Sequence, residues 1–181
     1  MTDIMIGGEA VPINIVDEIR EITKANIWNM YGPTETTVWS TVKNLTNESV
    51  VTIGRPIANE QTYILDNNKK LCPVGIPGNL FIGGDGVGKG YYNKPKLTIE
   101  KFIQNPYIEN DIIYETGDIA KWNEAGDLVC LGRNDFQIKI NGHRIEIEEI
   151  ENVILKYNFI LGTAVIAKEN KLIAYYTSSK E

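Results

Sequence analysis

The chain opens on an apolar run, Asp3 to Ile6, that ends in Gly7-Gly8-Glu9-Ala10, and the run predicts a short strand. Pro12 suits the first turn of a helix, and Ile15, Ile19 and Ile22 recur at helical spacing to about Lys24. Ile27 to Met30 predicts the next strand. Together these give a β-α-β unit whose strand ends both open into loops. From Thr37 the pattern turns to β. Val38 to Leu45, Val50 to Ile53, Gln61 to Asp66 and Asn79 to Ile82 predict short strands between turn clusters such as Asp66-Asn67-Asn68 and Pro73-Val74-Gly75. Ile112 to Asp118 reads as a strand meeting a glycine turn. Ile119 to Trp122, the Asn123–Gly126 turn and Asp127 to Leu131 then predict a hairpin.

Beyond Gly132-Arg133-Asn134-Asp135 the pattern starts afresh. Phe136 to Ile140 alternates, Asn141-Gly142 is a strong hairpin-turn signal, and His143 to Ile145 returns. Glu146 to Tyr157 predicts an amphipathic helix with Ile147, Ile150 and Ile154 inward and glutamates in its first turn. Ile160 to Ala167 and Leu172 to Thr177 predict two strands joined by the Glu169-Asn170 turn. The fold class is α/β followed by β, with an α+β stretch at the end.

Composition narrows the function classes. Hydrophobic residues make up 43% and charged residues 23%, ordinary for a globular protein, and 181 residues suffice for one or two domains. The net charge of −6 argues against a basic nucleic-acid surface. Cys72 and Cys130 lack CxxC spacing, and the single His143 argues against a histidine-based triad or a multi-histidine metal site. No apolar run approaches membrane-spanning length and no signal peptide is recognisable, so a cytoplasmic location is the expectation.

The candidate chemistry centres on Asn29-Met30-Tyr31-Gly32-Pro33-Thr34-Glu35-Thr36-Thr37. Gly32-Pro33 breaks regular structure, which makes this a loop. Tyr31 offers a flat face for a purine, Thr34 a hydroxyl for a phosphate oxygen, and Glu35 a carboxylate for Mg²⁺. A surface turn with an incidental acid explains the same residues equally well. Ligands of open α/β sheets gather at the carboxyl ends of strands, so the Gly7–Glu9 turn and the Tyr31–Glu35 loop should face one crevice. Asp118 can accept hydrogen bonds from ribose hydroxyls, and Arg133 can reach a ribose or a phosphate; an Asp that favours a turn and a surface Arg fit as well. Gly83 to Gly90 imitates a P-loop, but Gly90 stands where a Ser or Thr must ligate the metal. The run also leads into Tyr91-Tyr92-Asn93 rather than a helix, which excludes that reading.

The nonapeptide resembles the core motif of the adenylation domains of nonribosomal peptide synthetases, in the superfamily of acyl-CoA synthetases and luciferases. Tyr114-Glu115-Thr116-Gly117-Asp118 resembles the family's Tyr-x-Thr-Gly-Asp hallmark, and Asn79 to Phe102 a further structural motif with a helix from Lys96 after Pro95. The resemblance implies that residues 1–134 are the C-terminal portion of the large core subdomain, an α/β piece with a distorted β-barrel. Residues 135–181 would be the hinge and the start of a mobile α+β subdomain.

It further implies ATP or AMP contacts by Gly8, Glu9, Asn29, Tyr31, Gly32, Asp118 and Arg133, and catalytic roles for Thr34 and Glu35, with Mg²⁺ on Glu35. Met5, Gly7, Met30, Val38 and Trp39 would line the amino-acid pocket, and Trp39 with Met5 and Met30 would favour a small side chain. Asp135 takes the hinge position. The Gly142 loop resembles one that contacts the phosphopantetheine arm of a peptidyl carrier protein. The family's phosphate loop, the Asp that pairs with the substrate amine and a late catalytic lysine match nothing between Met1 and Glu181, so little catalysis by this stretch alone is expected. Pro33 and His143-Arg144 lean towards amino-acid adenylation. An acyl-CoA synthetase, a D-alanine–carrier protein ligase and a non-catalytic remnant that binds nucleotide or carrier protein stay open.

Overall fold

The computed structural model describes residues 1–135, 137–140, 143–168 and 171–179. The β-α-β unit consists of β1 (Asp3–Gly7), α1 (Ile13–Ile22) and β2 (Asn26–Tyr31), with the two strands parallel and Gly7 opposite Met30. The helix does not use the expected Ile15–Ile19–Ile22 face. Val16 is fully buried and Ile19 packs with it against Ile27 and Leu45, while Ile15 and Ile22 are exposed. The helix carries two apolar stripes, and the one that meets β2 decides the burial. Arg20 closes the contact: its guanidinium donates to the Leu45 carbonyl and, at 2.5 Å, to that of Glu48.

β3 (Thr41–Asn44) adds antiparallel to β2, and β4 (Arg55–Pro56) adds to β3, completing a four-stranded mixed sheet. The strand expected over Val38–Leu45 is shorter because Thr37 and Val38 adopt left-handed backbone, φ 59° and 75°. The strand expected over Val50–Ile53 does not form. That stretch is held instead by the Ile53 N–H, which donates to the Leu128 carbonyl at 2.9 Å.

The second sheet contains β5 (Glu60–Leu65) and β6 (Gly78–Gly84). After the helix α2 (Pro95–Lys101) come β7 (Phe102–Gln104), β8 (Ile112–Trp122) and β9 (Leu128–Arg133). All five strands are antiparallel, in the order β5-β6-β8-β7 with β9 also on β8. Alternation sends Ile64 and Leu80 into a cluster with Ile53, Ala120 and Leu128, and Leu65 and Phe81 into another with Ile113. Each of the larger of these side chains contributes about 1.5–3 kcal/mol on burial. The buried Asp127 carboxylate joins the two sheets by accepting from Lys43 at 2.6 Å and Arg55 at 3.2 Å.

β8 does not turn at Gly117 as expected. Glu115 pairs with Phe81 and Ile119 with Asn79, so residues 116–118 stand opposite Leu80 alone. Gly117, at φ 80°, lets the strand bulge there and continue.

The chain divides into two compact units, Met1–Asn134 and Asp135–Glu181. Within the second, β10 (Gln137–Ile140) and β11 (His143–Glu146) form an antiparallel pair followed by α3 (Ile147–Ile154). β12 (Ile160–Lys168) and β13 (Lys171–Ser178) then pair antiparallel. Ile147, Ile150 and Ile154 are the half-buried apolar residues of α3, which ends before Tyr157, and the Glu151 carboxylate accepts the Val165 N–H at 2.8 Å. Phe136 and the Asn141-Gly142 and Glu169-Asn170 turns lie outside the described residues.

Candidate functional site

Parallel pairing puts the C-terminal ends of β1 and β2 side by side. The ribbon has two faces. Ile6 and Ile27 pack on Val16 of α1, whereas Met5 and Gly7 belong to the opposite, exposed face by alternation. Gly7 is required by its surroundings: a Cβ there would sit 2.8 Å from the Trp39 ring and closer still to the Met30 carbonyl. The structure thus brings Gly7, Met30 and Trp39 together. Met5 and Val38, also expected in the pocket, are 70% and 55% exposed. Gly8 and Glu9 are exposed where β1 ends.

Asn29, expected to meet the nucleotide, lies on β2. Its side chain is buried and donates to the Thr52 carbonyl at 2.8 Å, tying β2 to the irregular 50–53 stretch.

Tyr31, at the end of β2, meets the bulge of β8. Its hydroxyl donates to Asp118 Oδ2, while Arg133 on β9 donates to Asp118 Oδ1 at 3.1 Å and to the Thr116 carbonyl at 3.1 Å. The Asp118 N–H donates to Thr116 Oγ1 at 3.0 Å, and that hydroxyl donates to the Leu80 carbonyl at 2.8 Å. The bulge therefore aims a carboxylate at an aromatic hydroxyl 87 residues away. Burial of its hydroxyl, then the Asp118 charge, push the Tyr31 phenol well above its ordinary range, so it remains a donor.

Thr34, Glu35 and Thr36 form one turn of 3₁₀-helix after Gly32-Pro33. The Ser40 N–H donates to the Tyr31 carbonyl at 2.8 Å, and Thr36 and Ser40 share a 2.6 Å hydroxyl bond, which closes the loop on itself. Thr34 is exposed. Glu35 is held by Tyr91, a residue that no motif in the sequence singles out. The Tyr91 hydroxyl donates to Glu35 Oε1 at 2.6 Å and stands 3.3 Å from the Tyr114 hydroxyl. Burial, followed by the Tyr91 hydroxyl and the Glu35 charge, drives the Tyr114 phenol far upward. The only sequence signal for Tyr91 was its place after a glycine run whose P-loop reading fails.

Among the described residues no group of three or more His, Cys, Asp or Glu could hold a metal by itself. Mg²⁺ is ordinarily held by one or two carboxylates and the phosphates of a substrate, and Glu35 supplies one carboxylate beside an exposed Thr34, so the donor set fits a metal that arrives with a nucleotide. Asp135 opens the second unit. Gly142 lies outside the described residues. No helix among them is long and apolar enough to cross a membrane, and both cysteines are free thiols.

Residues 1–92 match the family described as AMP-binding enzyme. Gramicidin S synthase 2 of Aneurinibacillus migulanus is 42% identical over 98% of this chain, which covers 4% of that protein. A solved nonribosomal peptide synthetase protein containing adenylation and PCP domains, bound to a vinylsulfonamide inhibitor, superposes with a TM-score of 0.90 at 27% identity. The match covers 99% of this chain and 33% of that one. A four-domain nonribosomal peptide synthetase bound to AMP and glycine is 40% identical with a TM-score of 0.68, over 98% of this chain and 14% of that one. The chain thus spans a third or less of each of these three proteins. On the family match over its first half this chain belongs to the AMP-binding enzyme family, and the relatives that align along nearly its whole length are nonribosomal peptide synthetases.

Proposed function

We propose that this chain supplies part of a site that activates an amino acid by adenylation. The observation that carries the proposal is the meeting of Tyr31, Asp118 and Arg133, from three strands, beside the ends of parallel β1 and β2. In this reading Asp118, Arg133 and the Tyr31 ring receive the ribose and adenine, Gly8, Glu9 and Gly32 border the nucleotide, and the Thr34 hydroxyl holds a phosphate oxygen. Glu35 would hold Mg²⁺, which when bound offsets negative charge on the phosphates.

The amino-acid carboxylate attacks the α-phosphorus of ATP. A new P–O bond forms as the bond to pyrophosphate breaks, leaving aminoacyl-AMP. A phosphopantetheine thiol of a peptidyl carrier protein then gives up its proton and attacks the acyl carbon, and AMP departs as the thioester forms. Residues 1–134 act as the C-terminal portion of the core subdomain, with the antiparallel strands contributing to its distorted barrel. Asp135 is the hinge about which the following subdomain turns, a rotation of a common kind. The Gly142 loop would then approach the carrier arm. The closeness of Gly7, Met30 and Trp39 supports a small side chain in the substrate. The AMP and glycine bound to one relative support the nucleotide and the substrate class. The PCP domain joined to another supports the partner.

The test is AMP added to the isotope-labelled chain. The amide signals of Tyr31, Asp118 and Arg133 should move together, and Asp118→Asn should weaken the effect about tenfold through loss of a charged acceptor. Signals of these three residues that ignore millimolar AMP would overturn the proposal. In a synthetase that carries this stretch, glycine should drive ATP–pyrophosphate exchange and phenylalanine should not.

A further inference from the structure

We infer that Tyr91 is a positioning residue for the Glu35 carboxylate, and that the glycine-rich run before it is the brace that sets it there. The inference rests on the reading of Glu35 as the carboxylate that faces the metal. The run is fastened at three places. The Gly86 N–H donates to Glu60 Oε1 at 2.9 Å. The Thr37 hydroxyl donates to the Gly86 carbonyl at 2.7 Å, and the Gly88 N–H donates to the Glu35 carbonyl at 2.8 Å. The run thus grips the core loop at Glu35 and again two residues later.

Its far end is equally fixed. The Tyr91 N–H donates to Thr98 Oγ1 of α2 at 2.9 Å, and the Tyr91 ring meets Phe102 edge to face, with centroids 5.4 Å apart. A ring held at its backbone and its edge has little choice of hydroxyl position. The hydroxyl falls 2.6 Å from Glu35 Oε1, a length typical of a charge-assisted bond. One carboxylate oxygen is thereby engaged and the plane of the carboxylate is set. Groups that bond a metal-binding side chain in this way change metal affinity by about 10–100-fold when removed. The glycine run that imitates a phosphate loop instead presents a carboxylate.

The experiment titrates Mn²⁺ as a paramagnetic probe into the isotope-labelled chain in the presence of AMP, read as broadening of the Thr34, Glu35 and Thr36 amide signals. The wild-type chain should broaden there and E35Q should not. Y91F should need about tenfold more Mn²⁺ for the same broadening, with the rest of its spectrum unchanged. Y114F, which removes the hydroxyl behind Tyr91, should shift the titration less. T98V frees the Tyr91 backbone but keeps its hydroxyl, so it should weaken binding and serves should Y91F fail to fold. A Y91F or T98V titration that coincides with wild type would overturn the role of Tyr91 and leave Glu35 in place. No broadening at Glu35 in the wild-type chain would remove the metal reading and this inference with it.

Discussion

Asp118 shows how little of a site a single residue owns: its carboxylate is held by a phenol on one oxygen and a guanidinium on the other. The phenol makes a pH prediction possible. Tyr31 and Tyr114 both ionise higher in the folded chain than the ordinary value of about 10, chiefly through burial. The unfolded chain therefore loses these protons first. Stability is complete below about pH 10 and falls as pH rises beyond it. Urea midpoints should drop between pH 9.5 and 11, values set about the tyrosine range, and Y114F should drop less steeply; equal slopes would exclude Tyr114 as a cause. Glu60 gives a second prediction. Burial, aided by the Asp85 charge and opposed by the Gly86 N–H, raises its carboxyl above 4.5. Its contribution is whole below that value and is lost as pH climbs through the folded one. E60Q should therefore melt higher than wild type at pH 7 and lose that advantage at about pH 4, below the ordinary carboxyl value.

At the scale of elements, α1 supplies the clearest test. Val16→Ala should cost about 2 kcal/mol, since a fully buried side chain shrinks against Ile27 and Leu45. Ile22→Lys, at a position 85% exposed, should stay within about 0.5 kcal/mol. Denaturant midpoints of the two variants would come out reversed if Ile22 belonged to the core face. The helix also marks the limit of what the sequence made legible. Its existence followed from spacing and from Pro12, but five apolar residues among ten offer two stripes, and the partner strand chooses. Likewise, local propensity cannot foresee that Thr37 and Val38 turn left-handed, because the constraint comes from the loop closing through Ser40. Tyr31, Asp118 and Arg133 were named from motifs, and the fold brings them together. Tyr91 was missed because its partner lies 56 residues away and no local pattern marks the pair.

For the whole molecule the division after Asn134 is the main feature. The first unit holds both larger sheets and the three hydrophobic clusters of buried residues. A chain ending at Asn134 should therefore fold, with amide signals for Tyr31, Glu35 and Asp118 where the longer chain has them. Collapse of that spectrum would mean that residues 135–181 are needed for the core itself. The second unit, with few buried side chains among its described residues, should exchange its amide hydrogens faster than the first.

The bulge in β8 has a consequence for how this strand can change over evolution. Three residues opposite one is an excess of two, and two is even, so Glu115 and Ile119 point to the same side of the sheet as Phe81 and Asn79. Parity is conserved across the defect. Losing two of the three residues would flatten the bulge that presents the Asp118 carboxylate yet leave the strand right side out. Losing one would turn Ile119 to Trp122 inside out, pulling Ala120 from its core. Descendants of this sequence can drop the bulge in pairs, but not singly.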